Sequence, residues 1–528
     1  MSQRPRVPLR TARALLCALG AVLAMGCNDG LRRDRAAPDR SSAGPTELRL
    51  MGGDPSTLDP VMEPGRNYKV EIFSGLVKLN EKLQVVPDIA ERWTVSDGGR
   101  SYTFNLRDGV RFHDGKPVGA ADVTFSLDRA AAPETGSDLA HTYLGDIVGV
   151  RARLGGESTS IAGVVALDER TVRITTDAPK VYFLAKLTYS PAAVVDRETV
   201  ARGNDWYKTP NGTGPFKLGR WKKDEEMVLE RNADFYDGPP KVARVKYFLA
   251  GPGLRLYENG EVDVVTVPLD ALDRVRDPRD SLHRDLITGT PLSTTFVGFN
   301  TRIPPFDDLK VRQAFNHAVD KERLNRAARF LTAQGILPPG MPGYDPSLQG
   351  LAYDPVRARQ LLAESSYGGA AGLAPLTLSV MGTDTAKAVV EMWKDVLGVD
   401  VAIQQAGFKT FWPDLLRHRH QVFIVGWGAD YPDPEDFLDV LFHSGSQHNF
   451  GQYSNSAVDR LLEGARAEPD VPRRLRTYQE VERMIVADAA WVPLRHFVSH
   501  VLVKPYVKNY VLAPQVIPRL KEVEIVGR

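Results

Sequence analysis

Past residue 27 the sequence contains no cysteine; the two in the chain are Cys17 and Cys27. Structural disulfides, Cys-ligated zinc and thiol catalysis are therefore excluded from everything downstream. Long apolar runs are equally scarce. Apart from one short N-terminal stretch, nothing approaches the ~18 uninterrupted apolar residues of a membrane span, which excludes a polytopic membrane protein. An excess of charge is missing too. The 67 basic and 66 acidic residues leave a formal charge of +1 with no concentrated basic block, so the footprint of a nucleic-acid binder is absent. With 43% apolar and 25% charged positions among 528 residues, the chain is neither disordered nor collagen-like. A globular protein of about three lobes suits this length.

What is there begins with an address. Arg4, Arg6, Arg10 and Arg13 precede the apolar stretch ALLCALGAVLAMG at 14–26, which is too short to span a bilayer and fits the core of an export signal. Cys27 follows Gly26 directly. A small residue before a cysteine at that place resembles a bacterial lipobox, although Ala24 and Met25 depart from the preferred residues. The expectation is a signal peptide at 1–26, cleaved to expose a lipidated Cys27 or, alternatively, simply removed on secretion to the periplasm. Removing the four arginines moves the formal charge from +1 to −3. Residues 28–45 are polar, rich in Pro, Gly and Ser, and lack apolar periodicity, as a flexible tether does. Tether and anchor together are placed at 27–46, with folded structure from Glu47.

From there strand and helix signals alternate, which predicts an α/β or α+β protein. Tyr102, Phe104 and Leu106 alternate with Thr103, Asn105 and Arg107, the pattern of a half-buried strand, and Asp-Gly turns follow at 108–109 and 114–115. Val311, Ala314, Phe315, Ala318 and Val319 have helical spacing with Asp307 as the N-cap, and Asp320 is expected to cap a second helix through Leu331. Apolar strands are predicted at 421–427 and 492–503, and a helix at 474–489.

Tests for chemistry find little. His418 and His420 flank Arg419, a poor metal pair. His496 and His500 lie on a strand-like segment, about 13 Å apart at ~3.3 Å per residue, too far to share an ion. His443, Ser444 and Ser446 lack a Gly-x-Ser-x-Gly elbow. Gly212 and Gly214 have no third suitably spaced glycine and precede a strand, so a bend is expected there and not a phosphate loop. No Gly-Lys-Ser/Thr loop occurs, so any ATPase is a separate polypeptide. No catalytic residue, metal site or cofactor is assigned, and an enzyme is not expected. Trp93, Phe112 and Trp221 are expected in cores, and Arg312 in a surface or interlobe ion pair.

Seven blocks in order carry a resemblance: GDPSTLDP (53–60) with IFSGLVKLN (72–80), 87–129, 212–238, GEVDVV (260–265), 297–324, 353–365 and GWGADYPDPEDFL (426–438). Together they resemble the solute-binding proteins of ABC importers, specifically the dipeptide/oligopeptide-binding family 5 group. The resemblance implies an α/β fold of the type II periplasmic binding protein kind, with two lobes joined by hinge crossovers plus an extra N-terminal domain. Lobe I would combine 47–76, 201–292 and 497–528, the additional domain would be 77–200, and lobe II 293–496. It implies a monomer on the periplasmic face of a bacterial membrane that captures short peptides and delivers them to a permease and its ATPase. The same scaffold in relatives holds oligosaccharides, metal chelates, heme, opines or glutathione, or serves a sensory receptor, so the cargo stays open.

The site expectation centres on Asp430, which in peptide-binding relatives receives the cargo's ammonium; a desolvated ammonium needs a fixed carboxylate. Gly426 and Gly428 would let backbone approach the ligand. Trp427 is a candidate apolar wall, Tyr143 a candidate peptide contact, and Asn449 and Glu63 weaker polar candidates. Asp433, Glu435 and Asp436 are assigned to a helix N-terminus, with Asp433 as cap and Pro434 as first residue, and kept out of the site.

Overall fold

The structure, a computed structural model, describes residues 46–62, 68–326, 329–512, 514 and 519–528. The signal segment, Cys27 and Glu63 lie outside the described residues. Three larger sheets organise the rest. The first has seven strands in the order Leu286–Gly289, Ser499–Val503, Val264–Thr266, Glu47–Met51, Arg244–Phe248, Glu226–Arg231 and Phe216–Lys222. Glu47–Met51 runs parallel to both neighbours, and the outer pairs are antiparallel.

The second sheet has six strands, Leu331–Thr332, Trp491–His496, Ser293–Phe299, Val422–Gly428, Leu376–Val380 and Val401–Gln405. It has apolar cores on both faces. Phe296 packs on one side with Phe423 and Trp491, while Val297 and Phe299 pack on the other with Phe315 and Trp393. That is why Ser293–Phe299 is buried almost throughout instead of alternating. The third sheet is antiparallel, Ala90–Ser96, Ser101–Leu106, Thr171–Thr175 and Val164–Ala166. Here the alternation expected at 101–107 is realised, with Tyr102, Phe104 and Leu106 buried. Phe104 is wholly enclosed, so truncating it to alanine should cost about 3–5 kcal/mol.

Consecutive strands leave one large sheet and enter the other at 290–292 and again at 497–498. The stretch 492–503, strand-like throughout by sequence, is therefore two strands in two sheets, broken at Phe497 and Val498. His496 and His500 are divided by this break: His496 Nδ1 lies 3.0 Å from the Thr294 hydroxyl, and His500 Nδ1 lies 3.4 Å from that of Thr288.

Other expectations shift by a residue or change meaning. The helix Leu309–His317 is capped by Asp308, whose side chain accepts from Lys310 N–H, while Asp307 accepts from the Tyr367 hydroxyl. Asp320 does accept from Arg323 N–H, but its helix is described only over Lys321–Arg326, and Leu331 belongs to a short strand. Arg312 makes no ion pair among the described residues. It is buried and donates to the carbonyls of Phe306, Asp307 and Asp488. Phe112 is buried; Trp93 and Trp221 are half-buried, the latter donating to Asp54. At the Gly212–Gly214 bend the chain passes so close to 71–72 that a Cβ on Gly212 would sit 2.0 Å from the Ile72 carbonyl oxygen, and one on Gly214 2.4 Å from that of Glu71. Only glycine fits this crossing.

Candidate functional site

The strand Val422–Gly428 owes its rigidity to pairing on both edges, with Ser293–Phe299 and with Leu376–Val380. At its end the chain turns into 429–434 and then the helix Glu435–Phe442. Gly426 is exposed, and a Cβ there would meet Thr295 Oγ1 at an ordinary 3.6 Å. The protein itself does not require a glycine at 426, so its absence of side chain leaves open backbone beside the strand end.

Asp430 follows in the loop. Its backbone N–H donates to Asp436 Oδ2 at 3.0 Å, and its carboxylate accepts the hydroxyl of Tyr143. Tyr143 comes from the helix Ala140–Leu144 and is buried against Tyr189 and Tyr431, ring centroids 4.4 and 6.3 Å away. Burial first, then the Asp430 charge, pushes the Tyr143 phenol well above its ordinary value, so it stays protonated and acts as the donor. The sequence-nominated pair, Asp430 and Tyr143, thus meets directly although 287 residues separate the two.

Beside this pair lie acids that the sequence assigned to a helix terminus. Asp433 accepts from Glu435 N–H, as expected of a cap, and also holds Arg474. Pro434 occupies the cap position and Glu435 begins the helix. Glu435 and Asp436 lie in the first turn of that helix, as the sequence indicates, and both are buried, which it does not indicate. Asp436 Oδ2 also accepts Trp427 Nε1–H at 3.3 Å, while Oδ1 has no hydrogen-bond partner among the described residues. Burial, then the neighbouring Asp430 charge, pushes the Asp436 carboxyl well above its ordinary value, and its Oδ2 ties the Asp430 loop to the helix.

Glu435 accepts the Tyr431 hydroxyl and lies 3.2 Å from the Lys186 ammonium. Lys186 is also 2.9 Å from Asp146, which in turn is 3.3 Å from Lys180. Burial pushes Asp146 up, but these two ammonium groups outweigh it and hold the carboxyl below its usual range. Lys186 stands alone in the apolar run VYFLAKL; a lone cation in such a run was the one available hint of a buried partner. Further contacts join the same two regions: Thr142 Oγ1 lies 3.1 Å from His448 Nδ1, and Val181 N–H donates to the Arg466 carbonyl at 3.1 Å. Residues 139–190 are thus closed onto 427–474.

Other nominated residues take different places. Trp427 is 7% exposed and packs against His448 and Phe450 in the core, so burial dominates. Asn449 is spent on its own turn, donating to the His443 and Tyr453 carbonyls and accepting Tyr453 N–H. Gly428 pairs with Ser293 at the sheet margin.

Residues 84–449 match the family model described as bacterial extracellular solute-binding proteins, family 5 middle. Among curated relatives, the probable deoxycholate-binding periplasmic protein YgiS of Escherichia coli is 29% identical, covering 87% of this chain and 89% of its own. The periplasmic oligopeptide-binding protein OppA of Salmonella typhimurium is also 29% identical, covering 88% of this chain and 89% of its own. The solved murein tripeptide binding protein MppA of E. coli superposes with a TM-score of 0.82 at 27% identity, covering 92% of this chain and 99% of that one. Against an unliganded open form of MppA the TM-score falls to 0.72, in keeping with the closed contacts here.

Proposed function

This chain belongs to the bacterial extracellular solute-binding proteins of family 5, and from that premise we propose that it captures short peptides and delivers them to a membrane permease powered by a separate ATPase. The proposed lobes are 47–76 with 201–292 and 497–528, then 293–496, with 77–200 as an additional domain. Hinge bending at 290–292 and 497–498 would open and close the cleft between the two large sheets. Cleavage after residue 26 and lipidation of Cys27 would hold the protein at the periplasmic face of a membrane.

The observation that carries this reading is Asp430, a carboxylate at the open end of Val422–Gly428, braced by Asp436 and touched by Tyr143. A peptide ammonium entering beside Gly426 would find a fixed counter-charge and exposed main chain. Such a ligand binds the closed state preferentially and so shifts the population toward it. No step makes or breaks a covalent bond, and the named relatives are binding proteins. A second reading, an amphiphilic carboxylate as cargo, is favoured by the likeness to YgiS; such a ligand has no ammonium for Asp430.

Thermal-shift screening with di- to pentapeptides, with deoxycholate in parallel, tests the choice. A ligand at 100 times its Kd adds about 2.7 kcal/mol, a visible shift. Stabilisation by peptides is expected; stabilisation by deoxycholate with none by any peptide rejects the peptide reading.

A further inference from the structure

His448 lies on the seam between 139–190 and 427–474 and takes no part in holding Asp430. It is buried, and its Nδ1 is 3.1 Å from the hydroxyl of Thr142. That threonine belongs to the short helix Ala140–Leu144, 306 residues away in the chain, so the contact bridges the two closed regions. Two aromatic rings enclose the imidazole from its own side. Trp427 and Phe450 both meet it in T-shaped fashion, with centroids 5.6 and 5.8 Å away. No carboxylate pairs with it among the described residues.

The groups that face the ring offer it no counter-charge. From the helix side comes the exposed His141, next to Thr142 in the chain, the one titratable group acting on it among the described residues. From the strand side comes Trp427, whose indole N–H is given to Asp436. Its own loop supplies Phe450 and Ser446, the latter accepting the His448 backbone N–H. Burial, then His141, pulls the imidazole from 6.5 to about 4. A neutral ring suits this enclosure. An imidazolium would lose its water, gain no anion and face a second histidine that charges over the same range. Parting 139–190 from 427–474 uncovers the ring and separates it from His141, so the open arrangement takes up the proton more readily. A proton that binds one arrangement better shifts the population toward it.

We propose that His448 is a proton-operated catch: charging its imidazole drives 139–190 away from 427–474 and so lets the cargo go. The catch is indifferent to what the cargo is, and it stands whether or not peptides are bound. A ring held near 4 when covered and returned to 6.5 when uncovered favours opening by up to roughly 30-fold between about pH 7.5 and about pH 5. Glu435 and Asp436 act in the opposite sense, because burial raises both and a protonated acid is the form that tolerates enclosure. The contribution of His448 is therefore read as a difference between variants.

The test uses ligand-free mature protein. Solution scattering from about pH 7.5 to about pH 5 reads the open fraction of wild type, His448→Gln and Thr142→Val. Wild type should open as pH falls. His448→Gln keeps a hydrogen-bonding side chain without a titratable ring, and its open-to-closed ratio should change roughly 10- to 30-fold less over that range. Thr142→Val spares the imidazole and removes its partner across the seam. Losing one hydrogen bond weakens closure about fivefold, so the midpoint of opening should move up by about 0.7 pH unit. Identical pH responses of wild type and His448→Gln overturn the proposal, as does a wild type that stands open or stays closed throughout. If His448→Gln fails to fold, Thr142→Val decides: a raised midpoint supports the catch, and an unmoved one overturns it.

Discussion

Lys186 and Glu435 meet at 3.2 Å in an ion pair with only 5% and 4% of their side chains exposed. The lysine ends the short helix Phe183–Lys186 and the glutamate begins Glu435–Phe442, so the pair ties the segment around the four-stranded sheet to the end of the six-stranded one. Cutting a buried pair on one side strands the other charge, at about 3–5 kcal/mol. Lys186→Met should lose stability on that scale. Adding Glu435→Gln should recover part of it, because Asp146 keeps Lys180 at 3.3 Å. Urea denaturation of the single and double variants measures both effects, and solution scattering of the single variant should show a more open ligand-free protein.

Glu482 sets a pH dependence. It accepts Ile336 and Leu337 N–H at 2.7 and 2.8 Å, yet burial outweighs these donors and raises its carboxyl from 4.5 to about 7. Burial raises Glu71 and Glu435 to about 7 as well. At these three carboxyls the folded state binds more protons than the unfolded one between pH 4.5 and 7, so their contribution to stability falls as pH rises. The buried His113, His448 and His496, lowered to about 4, act in the opposite sense below pH 6.5. The carboxyl contribution is complete below pH 4.5 and lost through pH 7. Glu482→Gln keeps an acceptor without the charge, so its unfolding free energy, measured by urea denaturation, should gain on that of wild type between pH 5 and pH 7.5 by an amount on the order of 2 kcal/mol.

How far the sequence reached is clearest at Asp430. Its motif and that of Tyr143 were legible because both lie in local blocks, GWGADY and HTYLGD, and strand alternation at 101–107 was legible because one face meets solvent. Glu435 and Asp436 lie in the first turn of their helix as the sequence indicates, but their burial was not legible there, because it depends on segments far away in the chain, such as the one that brings Lys186 to Glu435.

Asp436 should behave as a neutral acid. With its carboxyl pushed up by burial and then by Asp430, Asp436→Asn keeps an acceptor for Asp430 N–H and Trp427 Nε1–H and should bind peptide within about 0.5 kcal/mol of wild type. Asp436→Leu leaves both donors unmatched at a cost of about 1–3 kcal/mol. Calorimetry with free-amino and N-acetylated peptides should place that loss mainly on the free-amino ligands.

The Tyr143–Asp430 contact predicts two unequal losses. Asp430→Asn removes the counter-charge for an ammonium and should weaken free-amino peptides by about 2–5 kcal/mol, the scale for truncating a buried charged contact, while N-acetylated peptides change little. Tyr143→Phe keeps that charge and removes one hydrogen bond between 139–190 and 427–474, so a loss of about 1 kcal/mol is expected for either peptide. The closed state loses its bridge whatever the ligand's end group. Calorimetric titration of both variants with both peptides separates a site defined by charge from one defined by closure alone. Equal losses for acetylated and free peptides in Asp430→Asn would remove Asp430 as the ammonium receptor and leave it only a structural part in closure.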